Sequence, residues 1–177
     1  MGGVSVAAVV FDGEEGTELD QYNMAKINWF LEFAAYYSLP FISFADTLSV
    51  AANTCVNNSL VLKQISKFME NFELLENAKI SVVYKKAVGM GYTLLAAKSM
   101  GYDYTLAFAN AKIALFDSVA GAEIELAADG RTREKLAEKY ADENSDPVNA
   151  AKDGYIDDII EPQFVKQYLI ASLQMLA

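Results

Sequence analysis

The chain has 177 residues, of which 53% are hydrophobic and 21% are charged, and this composition excludes intrinsic disorder. Its net charge is −10, from 24 acidic and 14 basic residues. A surface this acidic repels phosphate backbones, so we expect no nucleic-acid binding. The apolar run Ile27–Tyr37 is interrupted by Asn28 and Glu32, and it falls short of the roughly 20 residues that a membrane span requires. We therefore expect no membrane insertion.

The chain contains no histidine and a single cysteine, Cys55. The absence of histidine excludes a Ser-His-Asp or Cys-His triad, a histidine metal site and acid–base catalysis by histidine. If the protein is an enzyme, its chemistry must come from carboxylates, Lys, Tyr or backbone N–H groups. One cysteine allows no internal disulfide, which favours a reducing, cytoplasmic location. No acidic cluster has the spacing of a calcium loop, and we predict no metal site.

Strands alternate with long helices along the chain, and this order predicts one α/β domain, residues 1–177, with a largely parallel sheet. The predicted strands are Val4–Phe11, Phe41–Ala45, Lys79–Tyr84, Tyr104–Phe108, Lys112–Phe116 and Asp157–Ile160. The predicted helices cover residues 20–37 (with Asp20 as the N-cap), Val56–Phe72, Tyr92–Ser99, Ser118–Leu126, Thr132–Tyr140 and a last one that Pro162 opens. The stretch Asp142–Pro147 is interpreted as a loop between helices.

Four segments in order carry a resemblance to a known family. Asp146–Pro162 is similar to the pattern N-P-Y-x-A-A-x-x-G-Y-I/V-D-x-V/I-I-x-P, and Asn28–Asp46 is similar to R-F-x-x-F-C-D-A-F-N-I-P-L-V-x-F-x-D. Lys79–Met100 resembles K-I-T-V-I-x-R-K-A-Y-G-G-A-Y-x-x-M-S-S-K, and Ala109–Ile124 resembles W-P-x-A-E-I-A-V-M-G-x-x-G-A-V-E-I. These patterns belong to the carboxyltransferase subunit of biotin-dependent acyl-CoA carboxylases and decarboxylases. The resemblance runs over Val4–Leu176, nearly the whole chain.

The resemblance implies a crotonase/ClpP-like ββα superhelix, here a single domain similar to the second, C-terminal domain of the family. It implies transfer of CO2 between carboxybiotin, on a separate carrier, and an acyl-CoA. The family's first domain, which mostly holds acyl-CoA, is missing from this chain, as is the front of the second. The implied partners are therefore an acyl-CoA-binding half and a biotin carrier protein, with self-association into a homo-oligomer. The family stabilises oxyanions with backbone N–H groups, so it needs no histidine.

The family's G-G-A turn falls on Gly89-Met90-Gly91. The resemblance implies that the backbone N–H groups of Met90 and Gly91 are the two oxyanion donors, because donors fixed at a helix N-terminus stabilise negative charge that develops during a reaction. The alternative is a packing turn, since G-x-G before a helix is common wherever a strand meets a helix closely. Met90 replaces the family's middle glycine and places a long side chain where substrate should approach.

Two further departures concern the biotin side. The family's D-V-P-G-F is Asp46–Val50 here, so Ser49 and Val50 occupy the positions beside the biotin pocket and both Pro and Gly are lost. The family's M-G before the next helix is Phe116-Asp117. A carboxylate at Asp117 would oppose an incoming carboxylated biotin. Its alternative role is the N-cap of that helix.

Other residues have two interpretations each. Lys85 and Lys86 hold a CoA phosphate or a carboxylate, or they form a solvated strand end. Trp29, Phe30 and Phe33 belong to the core or to an interface. Three functions stay open: a carboxyltransferase-type subunit or fragment, a non-catalytic assembly relative that kept the fold, and another crotonase-type activity such as hydration or acyl-CoA hydrolysis. The C-terminal motif favours the carboxyltransferase branch over the third.

Overall fold

A computed structural model describes residues 1–11, 17–50, 55–116, 118–126 and 133–176. Within these ranges the strands are β1 (Ala7–Val10), β2 (Thr17–Leu19), β3 (Phe41–Val50), β4 (Lys79–Val88), β5 (Tyr104–Phe108), β6 (Lys112–Ala114) and β7 (Asp158–Ile160). The helices are α1 (Gln21–Tyr36), α2 (Cys55–Glu73), α3 (Met90–Leu95), α4 (Ser118–Leu126), α5 (Arg133–Asn144), α6 (Pro147–Lys152) and α7 (Val165–Leu176). Short 3-10 turns cover Lys98–Met100 and Pro162–Phe164.

The strands form one seven-stranded parallel sheet in the order β1-β3-β4-β5-β7, with β2 beside the end of β3 and β6 beside the end of β4. The register between β3 and β4 shifts along their length, because Ala45 pairs with Val83 whereas Thr47 pairs with Ala87. Two residues of β3 therefore span four of β4, which makes β4 bulge before its last residues. The predicted α/β class with a parallel sheet is confirmed.

Two apolar clusters hold the layers together. The larger one lies between the sheet and helices α1, α2 and α3, and at its centre Phe72 packs against Phe68 and Tyr102 with ring centroids 5.4 and 4.8 Å apart. The smaller one lies under α7, where Leu169 and Leu173 pack on the opposite face of the sheet. A parallel sheet covered on both faces in this way needs the nearly continuous apolar strands that the sequence shows.

The sequence predicted the long helices well. It predicted the ends of the strands less well. Asp20 caps α1 as predicted, and its carboxylate accepts hydrogen bonds from the backbone of Tyr22 and Asn23. The predicted loop between helices over Asp142–Pro147 is shorter than expected and covers only Ser145 and Asp146, because α5 continues to Asn144 and Pro147 opens α6. Strands β3 and β4 run beyond their predicted ends to Val50 and Val88. Their polar C-terminal residues hid this continuation.

The aromatic residues of α1 divide between core and surface. Phe30 packs at the edge of the larger cluster. Trp29 is 66% exposed and Phe33 is 40% exposed, so these two rings do not belong to the core. The two exposed rings stack with centroids 6.3 Å apart. No helix in the described ranges is long and apolar enough to cross a membrane.

Candidate functional site

A glycine turn joins β4 to α3 and forms the predicted site. Gly89 has φ +58° and ψ −131°, a backbone conformation that L side chains rarely adopt. Its N–H donates to the carbonyl of Ala114 at the end of β6 over 2.9 Å, and its own carbonyl accepts from the Thr93 N–H over 3.1 Å. The turn is therefore fixed both to the neighbouring strand and to the helix that it starts.

The two N–H groups after Gly89 are the predicted oxyanion donors. Met90 and Gly91 are the first two residues of α3, where backbone N–H groups have no acceptor within the helix. In the described part of the chain, neither N–H takes part in a hydrogen bond. Both N–H groups lie at the N-terminal end of α3, where the positive end of the helix dipole stabilises a nearby negative charge. The side chain of Met90 is 37% exposed, whereas Gly91 is buried.

Thr47 and Ser49, which alternate along β3, lie against this turn. A Cβ atom at Gly91 would lie 2.2 Å from Oγ1 and 2.8 Å from Cβ of Thr47, and a Cβ at Gly89 would lie 2.9 Å from Oγ of Ser49. Real Cβ contacts do not become this short, so Gly91 has no room for a side chain, and the positive φ of Gly89 requires glycine there as well. Thr47 is fully buried, and its hydroxyl has no hydrogen-bond partner in the described residues. Ser49, predicted on the biotin side, thus lies directly against the turn.

A small cleft opens beside the turn. Leu48, Val88 and Phe116 line a cavity of about 160 Å³ that also borders β6. Phe116, predicted on the biotin side, is 49% exposed and contributes one apolar wall. Val50, the other predicted residue on β3, pairs with Leu19 and packs against the larger cluster. The remaining predicted residue, Asp117, lies outside the described residues, and so does the Cys55 side chain.

A second cavity of about 230 Å³ adjoins the first, because Ala114 and Tyr140 border both, and Tyr92 and Tyr155 contribute to its lining. Burial, and then the neighbouring Tyr155, raise the pKa of the Tyr92 phenol above its usual value. The phenol directly after the turn, which is neutral at physiological pH in any case, thus keeps its proton to higher pH and can donate a hydrogen bond.

The structure has one charged pair beside the turn that the sequence did not predict. Asp46 of β3 is fully buried, and its Oδ2 lies 3.3 Å from Nζ of Lys85, which is half exposed at the bulge of β4. Neither carboxylate oxygen of Asp46 accepts a hydrogen bond in the described residues. The predicted strand ended at Ala45, so nothing in the sequence indicated that Asp46 would enter the sheet. The ammonium of Lys85 compensates this buried charge.

We predict that Lys85→Gln lowers the free energy of unfolding by about 1–2 kcal/mol. Breaking a buried pair costs about 3–5 kcal/mol, and this value is reduced here because water reaches Lys85. Urea denaturation measures the loss, and Lys63→Gln on the exposed side of α2 is the matched control. Adding Asp46→Asn should recover part of the stability. Equal stability of the Lys85 and Lys63 variants would contradict the assignment.

The described residues contain no group of three or more His, Cys, Asp or Glu side chains that could hold a metal ion. The groups that the site offers to a ligand are backbone donors and an apolar wall. Such a set suits a carbonyl, ureido or carboxylate oxygen that carries or develops negative charge.

Comparison with known proteins identifies the family. The family model described as the carboxyl transferase domain matches residues 1–177, and the chain belongs to this family. The carboxyltransferase subunit of propionyl-CoA carboxylase from Haloferax mediterranei is 29% identical over 154 residues, which cover 83% of this chain and 30% of that protein. Methylmalonyl-CoA decarboxylase subunit alpha from Veillonella parvula is 27% identical over 152 residues, or 86% of this chain and 30% of that protein. The chain thus spans about 30% of the length of these curated relatives.

Solved structures share the fold. Transcarboxylase 12S, crystallised as a hexamer with methylmalonyl-coenzyme A and methylmalonic acid bound, superposes with a TM-score of 0.88 at 22% identity, over 96% of this chain and 34% of that chain. The beta subunit of geranyl-CoA carboxylase from P. aeruginosa gives a TM-score of 0.83 at 17% identity, over 98% of this chain and 35% of that chain. The predicted crotonase-like carboxyltransferase fold is confirmed, over a part of those chains.

Proposed function

We propose that this chain supplies the biotin side of a carboxyltransferase that moves CO2 between carboxybiotin and the α-carbon of an acyl-CoA. The observation that carries the proposal is the pair of N–H groups of Met90 and Gly91, which start α3 without an acceptor in the described chain. The family resemblance implies that they stand at the oxyanion position, and the chain matches the family over residues 1–177.

The residues at the turn fit biotin. The two N–H groups can donate to the ureido oxygen, and Leu48, Val88 and Phe116 offer an apolar wall for the rings. When bound, carboxybiotin would supply the activated carboxyl group. The role of this chain is to hold its donors still: the hydrogen bond from Gly89 to Ala114 fixes the turn, so little reorganisation is needed as negative charge develops.

The proposed active assembly contains more than this chain. Because the chain spans about 30% of its curated relatives, we propose that residues 1–177 form one domain of the second, C-terminal type and that the acyl-CoA-binding half is a separate surface. A biotin carrier protein would deliver the carboxyl group, and the chain would self-associate within the assembly. We propose a cytoplasmic location for it.

The proposal is tested by reconstitution. The chain is combined with the acyl-CoA-binding half of a related carboxyltransferase, and native mass spectrometry verifies that the two associate. A biotin carrier domain carboxylated with labelled bicarbonate is then added with propionyl-CoA. Label should appear in the acyl-CoA only when both halves are present. A stable complex that moves no label would contradict the proposed function.

A non-catalytic assembly role is the second candidate, and two observations favour it. The Met90 side chain is partly exposed on the turn, and Ser49 lies beside Gly89, where its Oγ would be 2.9 Å from an added Cβ. Restoring glycine at Ser49, Met90 and Asp117 together tests whether the chain is a degraded enzyme. If it is, the triple variant should gain affinity for free biotin. If the site was never relevant to biotin, the affinity should not change.

A further inference from the structure

The outer face of α1 is aromatic where a polar face is expected. One side of this helix is buried against the sheet and α2. On its other side Tyr22, Trp29 and Tyr36 are 66–81% exposed, and Phe33 is 40% exposed. The outer side of a helix that packs on a core is normally polar, and a helix that is apolar all round is normally buried on every side. The composition of this face therefore indicates that another surface covers it.

The rings at the C-terminal end of this face are in contact with one another. Phe33 stacks with Trp29 and also lies against Tyr37, with ring centroids 6.3 and 4.7 Å apart. Tyr37 in turn meets Tyr36 edge to face at 4.9 Å. Such contacts hold each ring in place, so little side-chain freedom remains to be lost when a partner binds.

The exposed residues follow the spacing of a seam between two helices. Steps of four, three, four and three residues separate the members of this aromatic stripe, which are Tyr22, Lys26, Trp29, Phe33 and Tyr36. Residues that repeat in this way form a line along the helix, and along such a line two helices pack side by side. The stripe therefore suits another helix.

The stripe is symmetric about Trp29, which favours a second copy of the same helix. Tyr22 precedes Trp29 by seven residues, and Tyr36 follows it by seven. In an antiparallel pair of α1 helices that meet at Trp29, Tyr22 of each copy therefore faces Tyr36 of the other. A two-fold interface requires this property, since the same patch must be complementary to itself.

Charge favours the same arrangement. Lys26 and Glu32 are the two charged residues of α1, and they lie three residues before and three residues after Trp29. In the antiparallel pair, Lys26 of each copy lies opposite Glu32 of the other. Glu32 also pairs with Lys67 over 2.6 Å and is half exposed, so its carboxylate can accept a second ammonium group. Because α1 carries no net charge in a chain of net charge −10, repulsion between two copies is low at this helix.

The exposed area approaches what a stable dimer needs. With about 200 Å² for each aromatic side chain, the exposed parts of the four rings of the stripe and of Tyr37 amount to roughly 600 Å². A specific interface buries about 800 Å² on each partner. The aromatic residues would thus form the apolar centre of the interface, and the polar residues around them would form its rim.

We propose that two copies of this chain form a dimer through the aromatic stripe, as an antiparallel pair of α1 helices that meet at Trp29. This inference rests on the proposed function, in which the chain self-associates, and it names the surface that does so. Because a central aromatic residue commonly carries a large part of the binding free energy of an interface, the largest effect is expected at Trp29.

The proposal is tested on the full chain alone by sedimentation equilibrium, which should detect a dimer. Trp29 is the only tryptophan of the chain, so its fluorescence emission should move to shorter wavelength as the dimer forms and the ring leaves water. Trp29→Ala should raise the dissociation constant by at least about 30-fold, the effect of losing a central aromatic residue. Met175→Ala is the matched control, because Met175 is 65% exposed on α7, on the opposite face of the sheet. It should leave the dissociation constant unchanged.

Charge exchange tests the antiparallel orientation. Lys26→Glu and Glu32→Lys should each raise the dissociation constant roughly tenfold, because each places like charges opposite each other at two symmetric positions. The double variant should return the dissociation constant to near its original value. In a parallel pair each residue would face its own copy, and the double variant would not recover.

The proposal is overturned if the chain remains a monomer from micromolar to millimolar concentration, which would leave the stripe to another partner or to solvent. It is also overturned if Trp29→Ala dimerises as well as the unchanged chain, which would place the interface elsewhere. Thermal unfolding of each variant shows whether it is folded, so loss of the dimer is separated from loss of structure. The dimer is measured without a partner half or a biotin carrier, so failure of this test is distinguishable from failure of carboxyl transfer in the reconstituted assembly.

Discussion

Met90→Pro is expected to lower carboxyl transfer by the reconstituted assembly by about 10²–10³-fold, the loss that follows removal of one oxyanion donor. Proline has no backbone N–H, so the variant deletes the proposed donor at Met90 itself. Met90 is the first residue of α3, and proline is well tolerated at that position of a helix. The turn and its hydrogen bond from Gly89 should therefore survive the substitution.

The control for this variant is Met90→Ala, which removes the long side chain and keeps the N–H. Its transfer rate should equal or exceed that of the unchanged chain, because the exposed thioether no longer faces the approach to the turn. Steady-state kinetics and thermal unfolding are measured on both variants. Equal rates for the proline and alanine variants, with both folded, would show that the Met90 N–H is not a donor in the reaction.

Gly91→Ala is expected to lower the free energy of unfolding by about 2–3 kcal/mol, the cost of overpacking a tight core position. The added Cβ would lie 2.2 Å from Oγ1 of Thr47, and this threonine is fully buried between strand and helix. Neither the start of α3 nor the end of β3 can move away without disturbing the turn. We therefore expect the variant to lose the affinity for biotin along with stability.

Gly154→Ala is the matched control for the Gly91 variant. Gly154 has φ +78° and nothing within 4 Å of an added Cβ. The substitution should therefore lower the free energy of unfolding by only about 1 kcal/mol, the cost of the backbone conformation. Adding Thr47→Ala to the Gly91 variant removes the shortest contact and should recover part of the stability. Urea denaturation of all four proteins measures these differences. Equal losses for the two glycine variants would contradict the close contact with Thr47.

The helices and the glycine turn could be predicted from the sequence because their signals are local. Apolar spacing in α2 indicated that Val61, Ile65 and Phe68 share one face, and the structure buries all three. The glycine turn before an apolar helix was visible as a short motif, and the family resemblance gave it a proposed role. Local patterns of this kind depend on neighbours three or four residues away.

The surroundings of the turn could not be predicted, because they depend on how distant strands pair. Polar residues such as Asp46 and Lys85 interrupt the apolar pattern, so the predicted strands ended too early. The close approach of Thr47 to Gly91 follows from the packing of α3 against β3. The neighbourhood of Lys86 and Lys112 follows from the pairing of β4 with β6. Such pairings are set by tertiary packing and leave no local signature.

The central claim is that the N–H groups of Met90 and Gly91 form the donor pair for biotin. The most direct measurement is an amide NMR titration of the chain with free biotin, because it observes those two N–H groups one by one. The account predicts saturable shifts that are largest at Met90 and Gly91 and that disappear in Gly91→Ala. Saturable shifts that leave these two amides unchanged, or no saturable shift at all, would contradict it.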